Sequence, residues 1–232
     1  MHTIDPLVSI IICSYNRKNL ISKTIDSVLN QKCDFKYEII IGDDSSIDNV
    51  RSILLDYKKR LPKVFTLVFH ETNIGLGANW ASCVKLAKGK YIAGCDNDDY
   101  WHNPNKLRIQ VEFLEKNFEI GMVHTDYRTY NTKTGNFSDK IIHNFIYKGP
   151  LIQTIFSGKF KCCNSSTMYR KSIIDKHISI DDYISFQFPL QDWNTWISIA
   201  NYTKFYCLPI STTTICIDNE SITRPKDYSV IE

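Results

Sequence analysis

Glycine and proline are scarce in this chain: 9 and 7 among 232 residues. That scarcity excludes long disordered or linker stretches. No apolar run approaches the ~20 residues that a membrane-spanning helix needs. The apolar run Leu7–Cys13 is too short and lacks the basic flank of a secretory signal. No C-x-x-C pair occurs, which removes zinc-ribbon spacing. Charge of one sign is also lacking: 28 Lys and Arg against 25 Asp and Glu give +3. A nucleic-acid binder carries a stronger basic excess, so no nucleic-acid partner is expected, while weak attraction to an anionic membrane surface stays compatible. Internal repeats and low-complexity segments are absent. What remains is one domain with enough apolar residues, 43%, for one large core. The eight cysteines fit free thiols in a reducing cytoplasm. Four N-x-S/T sequons, at Asn136, Asn164, Asn201 and Asn219, are a chance product of an Asn-, Ser- and Thr-rich composition.

The pattern that is present alternates. Leu7–Ser14 is a β-branched run of the kind buried on both faces of a sheet. Arg17–Asn30 then reads as a helix, with Leu20, Ile21, Ile25, Val28 and Leu29 on one stripe. Tyr37–Gly42 is a second strand, Asp48–Arg60 a second helix and Val64–His70 a third strand. Asn79–Ala87 is a short helix and Tyr91–Cys95 a fourth strand. Asn103 followed by Pro104 predicts the start of the next helix, carrying Leu107, Val111, Leu114 and Phe118. Such alternation means parallel strands joined by right-handed crossovers. Beyond Met122 the regularity weakens. Strands are expected at Met122–Tyr130, Ser165–Arg170, Thr203–Leu208 and Thr212–Ile217, and helices at Leu151–Phe156 and Gln191–Asn201. The expected division is a nucleotide-binding half, residues 7–118, and an acceptor-binding half, residues 119–232.

Polar residues gather where strands end: Tyr15 and Asn16 after the first, Asp43 and Asp44 after the second, Asp96 to Asp99 after the fourth. In an open α/β sheet, ligands bind beyond the carboxyl ends of strands. Asp96, Asp98 and Asp99 put three carboxylates within four residues, and their mutual repulsion favours a cation. Mg2+ or Mn2+ takes one or two protein carboxylates and completes its shell with phosphate oxygens and water. The other use of such a cluster is a solvated turn or helix start. An EF-hand loop fails, because Tyr100 and Trp101 stand at its third ligand and its turn glycine. Gly75-Leu76-Gly77 imitates a dinucleotide fingerprint, but Trp80 replaces the third glycine, so NAD is not expected.

The ordered motifs resemble one family. Val8–Asn16 (VSIIICSYN) is similar to the opening strand of the family-2 glycosyltransferases, and Ile39–Ser46 (IIIGDDSS) to their second strand and its acidic end. Asn73-Ile74-Gly75 with Asn79, Gly89–Ile92, Asp96-Asn97-Asp98-Asp99, Trp101 and Pro104–Leu107 continue the resemblance. It covers residues 7–118 and thins beyond, where Gln191-Asp192-Trp193 resembles the segment with the catalytic base.

The resemblance implies a GT-A fold. That is a single domain with a Rossmann-like nucleotide-binding half and a central mixed, mostly parallel sheet flanked by helices. It also implies an inverting hexosyl- or N-acetylhexosaminyl-transferase acting on a nucleotide-sugar donor. The acceptor would be a glycan or lipid-linked saccharide in cell-surface polysaccharide synthesis, with the enzyme cytoplasmic and peripheral at the inner face of the membrane. Uracil is the implied base; thymine and guanine stay open. Tyr15 would flank the base, Asp44 would hydrogen-bond it with help from Asp43, and Asn16 and Asn79 would border the nucleotide. Asp96 would meet the ribose or the metal's waters, and Asp98 and Asp99 would hold Mn2+ or Mg2+. Asp192 would take the acceptor's proton, a role that suits a single displacement; the other use of an Asp there is at a helix N-terminus. Trp101 and Trp193, with His102 and Trp196, could offer sugar-stacking faces, although such aromatics are more often core.

Two departures stand out. Gln191 replaces the family's Glu, and Thr214–Ser221 lacks the late Arg-x-His segment, where Asp218 or Glu220 could substitute. Two other readings therefore stay open: a nucleotidyltransferase, against which only Arg17 and Lys18 stand where a phosphate loop would be basic, and a non-catalytic nucleotide-sugar-binding module.

Overall fold

The structure is a computed structural model that describes residues 5–140, 151–156, 160, 162–186 and 191–217. Its first half follows the alternating pattern. Strands β1 (Val8–Ser14), β2 (Tyr37–Asp43), β3 (Phe65–Phe69) and β4 (Tyr91–Gly94) are separated by helices α1 (Lys18–Leu29), α2 (Val50–Arg60) and α3 (Leu76–Val84). They lie in the order β3-β2-β1-β4, all parallel. Burial on both faces explains the unbroken apolar runs. Ile10, Ile12, Ile39 and Ile41 pack with Ile21, Ile25 and Val28 of α1 and Leu54 of α2. Ile11 and Ile40 point the other way, toward Trp80, Ala81 and Cys83 of α3. Period-two alternation thus feeds two separate cores, one on each side of the sheet.

The remaining elements are β5 (Tyr100–Trp101), α4 (Lys106–Lys116), β6 (Ile120–Asn131), β7 (Phe137–Lys140), α5 (Leu151–Phe156), β8 (Thr167–Arg170), α6 (Lys171–His177), α7 (Ile180–Phe186), α8 (Gln191–Ala200) and β9 (Lys204–Ile217). They extend the same sheet as β4-β8-β6-β9-β5, with β7 on β6. The sheet is mixed as expected, though β8 inserts antiparallel between β4 and β6, and β6 and β9 are parallel to each other.

Several boundaries differ from the sequence reading. The helix expected at Asn103-Pro104 begins at Lys106. Gln31, at the end of α1, supplies a cap from a distance: its Oε1 accepts from Leu107 N at 3.0 Å and its Nε2 donates to Asn103 O at 2.9 Å. Phe118 lies past the end of that helix and is 76% exposed, so it is not part of the buried stripe. Residues 164–166 form a 3-10 turn rather than the start of a strand. The two late strands are one, β9, with an irregular register between Thr125↔Leu208 and Asp126↔Ser211. Pro209 falls in that irregularity, where a residue with no N–H to give a ladder is tolerated. The short β5, β7, α6 and α7 have no periodic signal. Four of the eight cysteines are buried, and none of the eight forms a disulfide.

Candidate active site

The carboxyl ends of β1, β2 and β4 adjoin because the strands are parallel neighbours, and each delivers polar groups within two residues of its end. Tyr15 follows β1 with its ring 48% exposed. Asn16 adopts φ 50°, a left-handed conformation that Asn tolerates. Its Oδ1 accepts from Ile47 N and its own N donates to Ser46 Oγ, both at 2.9 Å, so Asn16 ties the loop after β1 to the loop after β2.

At the end of β2 the two aspartates do different work. Asp43 is fully buried, and its Oδ2 receives Arg51 Nε at 2.5 Å and Ser46 N at 3.3 Å. Its Oδ1 is buried with no partner among the described residues. Asp44 accepts from Ile74 N at 2.7 Å and Gly75 N at 2.9 Å, which draws the 73–75 loop over the strand end. Asn79, expected to border the nucleotide, is turned inward. It is 1% exposed, and its Nδ2 donates to Gly42 O at 2.9 Å while its Oδ1 meets His70 Nε2 at 3.2 Å. Trp80, in place of the fingerprint's third glycine, is buried with its ring 4.9 Å from Tyr183.

The acidic loop after β4 divides likewise. Asp98 faces Arg17, with Nε and Oδ2 3.6 Å apart. Asp96 accepts from Asn164 Nδ2 at 2.8 Å. Burial raises the Asp96 pKa to about 7; the Asn164 bond opposes the rise, and the charges of Asp98 and Asp192 add to it. Asp99, the second expected metal ligand, is turned inward. It is 3% exposed, and both its oxygens are taken, Oδ2 by Ser165 Oγ at 2.6 Å and Oδ1 by Cys216 N at 3.1 Å. It anchors the loop to β9 and to the 164–166 turn. The described residues contain no group of three or more His, Cys, Asp and Glu side chains placed to hold a metal.

Asp192 lies in the first turn of α8, half-buried, its Oδ1 accepting from Trp193 N at 2.8 Å. Burial raises its pKa above the usual carboxylate range. It lies near enough to Asp96 for the two charges to interact, which puts the first turn of α8 near the acidic loop. Gln191, where the family has Glu, is turned into the helix packing: it is 4% exposed, with Nε2 donating to Thr195 Oγ1 at 3.1 Å. Asp218 and Glu220 lie outside the described residues.

Two of the four candidate sugar-stacking residues, Trp101 and Trp196, are buried. Trp101 is 3% exposed and its Nε1 donates to Ser165 O at 2.8 Å, so it has no open face for a sugar. Trp196 is buried, and both ring nitrogens of His102 face oxygens, Thr214 Oγ1 at 3.0 Å and Ser211 O at 3.2 Å. Trp193 is partly buried beside Trp196. An open cleft of about 690 Å³ lies elsewhere, along α1 and β5, lined by Asn19, Lys23, Asp26 and Tyr100. Sequence reasoning missed Asn164 and Ser165, because their partners lie 66 to 69 residues away and no local pattern marks them.

Residues 9–178 match the family model described as Glycosyl transferase family 2. The chain is 35% identical over 148 residues to the Escherichia coli protein named UDP-Glc:alpha-D-GlcNAc-diphosphoundecaprenol beta-1,3-glucosyltransferase WfgD, covering 62% of this chain and 56% of that one. Staphylococcus aureus TarS residues 1–349 in complex with UDP-GlcNAc superpose with TM-score 0.68 at 18% identity, over 92% of this chain and 59% of that one. The mannosyltransferase PcManGT from Pyrobaculum calidifontis, in complex with GDP-Man and Mn2+, gives 0.67 at 17% identity, over 94% and 59%. The fold is therefore the GT-A fold. The chain spans from about a third to just over half the length of the curated relatives it matches.

Proposed function

Because this chain belongs to glycosyl transferase family 2, we propose that it moves a sugar from a nucleoside-diphosphate sugar to a hydroxyl of a glycan or lipid-linked saccharide, with inversion, in cell-surface polysaccharide synthesis. One observation supports the reading: Asp98 and Asp192, the latter from a helix in the other half of the chain, both lie near enough to Asp96 for their charges to act on it. No helix among the described residues is long and apolar enough to cross a membrane, and work on a lipid-linked acceptor would be done from the inner membrane face.

Tyr15, half exposed beside Asp44, flanks the base. Asp44 holds the 73–75 loop with two of its lone pairs and keeps the others for the base. TarS with UDP-GlcNAc and PcManGT with GDP-Man frame the choice between uracil and guanine. Asn16 and Asn79 shape this pocket through the backbone rather than by direct contact. Asp96 would meet the ribose with the oxygen that Asn164 does not hold.

Asp98 would hold Mn2+ or Mg2+. A hard cation needs only one or two protein carboxylates when a diphosphate fills its shell, so a site without a cluster of three or more ligands fits it. When bound, the ion supplies Lewis-acid neutralisation of the departing nucleoside diphosphate. Asp99 anchors the loop and stays out of the metal shell. Asp192 accepts the acceptor hydroxyl's proton as its oxygen attacks the anomeric carbon; burial that raises its pKa strengthens it as a base at neutral pH. Trp193 borders the acceptor.

The test is Asp192→Asn, read by nucleoside-diphosphate release from donor sugars and by donor affinity. Release falling by about 10²–10⁴-fold with affinity kept supports the base. Unchanged release removes Asp192 from the chemistry. A wild-type protein that binds donor and never turns over is a binding module, and one that consumes nucleoside triphosphate and releases pyrophosphate is a nucleotidyltransferase.

A further inference from the structure

The acidic loop is held from outside its own half of the chain. The 3-10 turn Asn164–Ser166 sits just before β8, and β8 lies antiparallel beside β4. This register brings the turn against the loop that follows β4. Ser165 Oγ accepts from Asp96 N at 2.8 Å and donates to Asp99 Oδ2 at 2.6 Å, so one buried hydroxyl bridges both ends of the loop. The turn is fixed from behind by three donors. Trp101 Nε1 at 2.8 Å and Thr213 Oγ1 at 3.1 Å reach Ser165 O, and Gln110 Nε2 reaches Ser166 O at 2.8 Å. Gln110 is oriented in turn by Lys106 Nζ at 2.7 Å. On the loop side, Asn164 Nδ2 donates to Asp96 Oδ1 at 2.8 Å. Space for that amide exists because residue 94 is glycine: a Cβ there would lie 2.4 Å from Asn164 Oδ1 and 2.9 Å from its Nδ2.

We infer that Asn164 is a positioning residue for the donor's ribose. An amide on a rigid turn fixes Oδ1 of Asp96, and together with the Ser165 hydroxyl, which also bonds this carboxylate, it limits the directions open to Oδ2. A carboxylate so held can accept from a vicinal diol without searching for its rotamer, so its discrimination for ribose depends on Asn164. This inference rests on the donor-site reading given above.

The experiment measures affinity by calorimetry for UDP and GDP, and for their 2′,3′-dideoxy analogues, with Mn2+. Wild type is expected to prefer the ribose form of the nucleotide it binds by roughly tenfold or more, the size of a hydrogen bond to a charged group. Asn164→Ala brings that preference to about twofold or less while the thermal midpoint stays close to wild type. Gly94→Ala, which displaces the amide from behind and touches no carboxylate, does the same. A purely structural role for Asn164 would weaken both nucleotide forms equally, and that result overturns the inference, as does a ribose preference that survives in both variants or is missing from wild type. Wild type binding neither UDP nor GDP overturns the donor-site reading itself, and this inference with it.

Discussion

The two halves of the chain contribute to one site in opposite ways. From residue 8 to residue 98, three of the four parallel strands, β1, β2 and β4, each carry proposed donor-site residues just past their ends: Tyr15, Asp44, Asp96 and Asp98 stand within four residues of a strand end. Among the described residues from 164 to 217, Asp192 is the proposed base, and Asn164, Ser165 and Cys216 hold groups that the first half presents. Ser165 and the Cys216 amide fix Asp99, and Asn164 fixes Asp96. Chemistry-bearing residues are local in sequence because strand ends converge; their supports are distant because a sheet brings any two segments side by side.

A pH profile puts this contrast under the greatest strain. If Asp192 is the base, kcat requires it ionised, so the rate falls as pH drops through its raised pKa, by about tenfold per unit. The acidic limb should lie above the ~3.9 of an ordinary Asp. A profile flat down to that value would leave the second half with support alone.

Core deletions sharpen it next. Leu54→Ala in α2 and Phe205→Ala in β9 both remove fully buried side chains, one from each core. Each should cost about 2–5 kcal/mol in denaturant unfolding. Loss of donor binding in folded Phe205→Ala, with binding kept in Leu54→Ala, would place the supports in the second half.

Two first-half glycines then meet obstacles from opposite halves at equal chemistry. A Cβ at Gly89 would lie 2.5 Å from Ser9 N and 2.8 Å from Val8 C, both backbone, beside the Ser9–Glu38 hydrogen bond at 2.7 Å. Gly89→Ala should cost about 1–3 kcal/mol. At Gly94 the obstacle is the movable end of Asn164, so Gly94→Ala should cost less stability.

The smallest effect concerns Lys106, which is fully buried beneath the turn. Burial lowers its pKa to about 7. Between about pH 7 and the ~10.4 of a free lysine, the unfolded chain binds the proton and the folded chain does not. Stability from this group therefore rises with pH across that window, by up to about 1.4 kcal/mol per unit. Lys106→Met should flatten the curve relative to wild type, and parallel curves would mean that Lys106 stays charged.

The same contrast governs what is legible in the sequence. Runs such as Leu7–Ser14 and the stripe Ile21, Ile25, Val28 announce themselves because burial on a sheet or helix has a fixed period, and the polar residues that end those runs mark the site. Asp99 reads like Asp98 in sequence, and only the positions of Ser165 and Cys216 show that it faces inward. Trp101 is likewise indistinguishable from a stacking platform until its indole N–H is seen on Ser165 O. The start of α4 escapes local pattern because its cap comes from Gln31, 76 residues upstream of Leu107. Thr203–Leu208 and Thr212–Ile217 read as two strands where an irregular register lets one continue. Each miss involves a partner far along the chain, which local propensity does not encode.

The central claim is a nucleoside diphosphate held through a divalent cation at Asp98. Calorimetric titration of UDP and GDP into wild type and Asp98→Ala, with and without Mn2+, addresses it directly. Wild type should bind one of the two, and Mn2+ should tighten the binding. In Asp98→Ala that Mn2+ dependence should be lost. Equal binding to both proteins, or metal-independent binding by wild type, would contradict the claim.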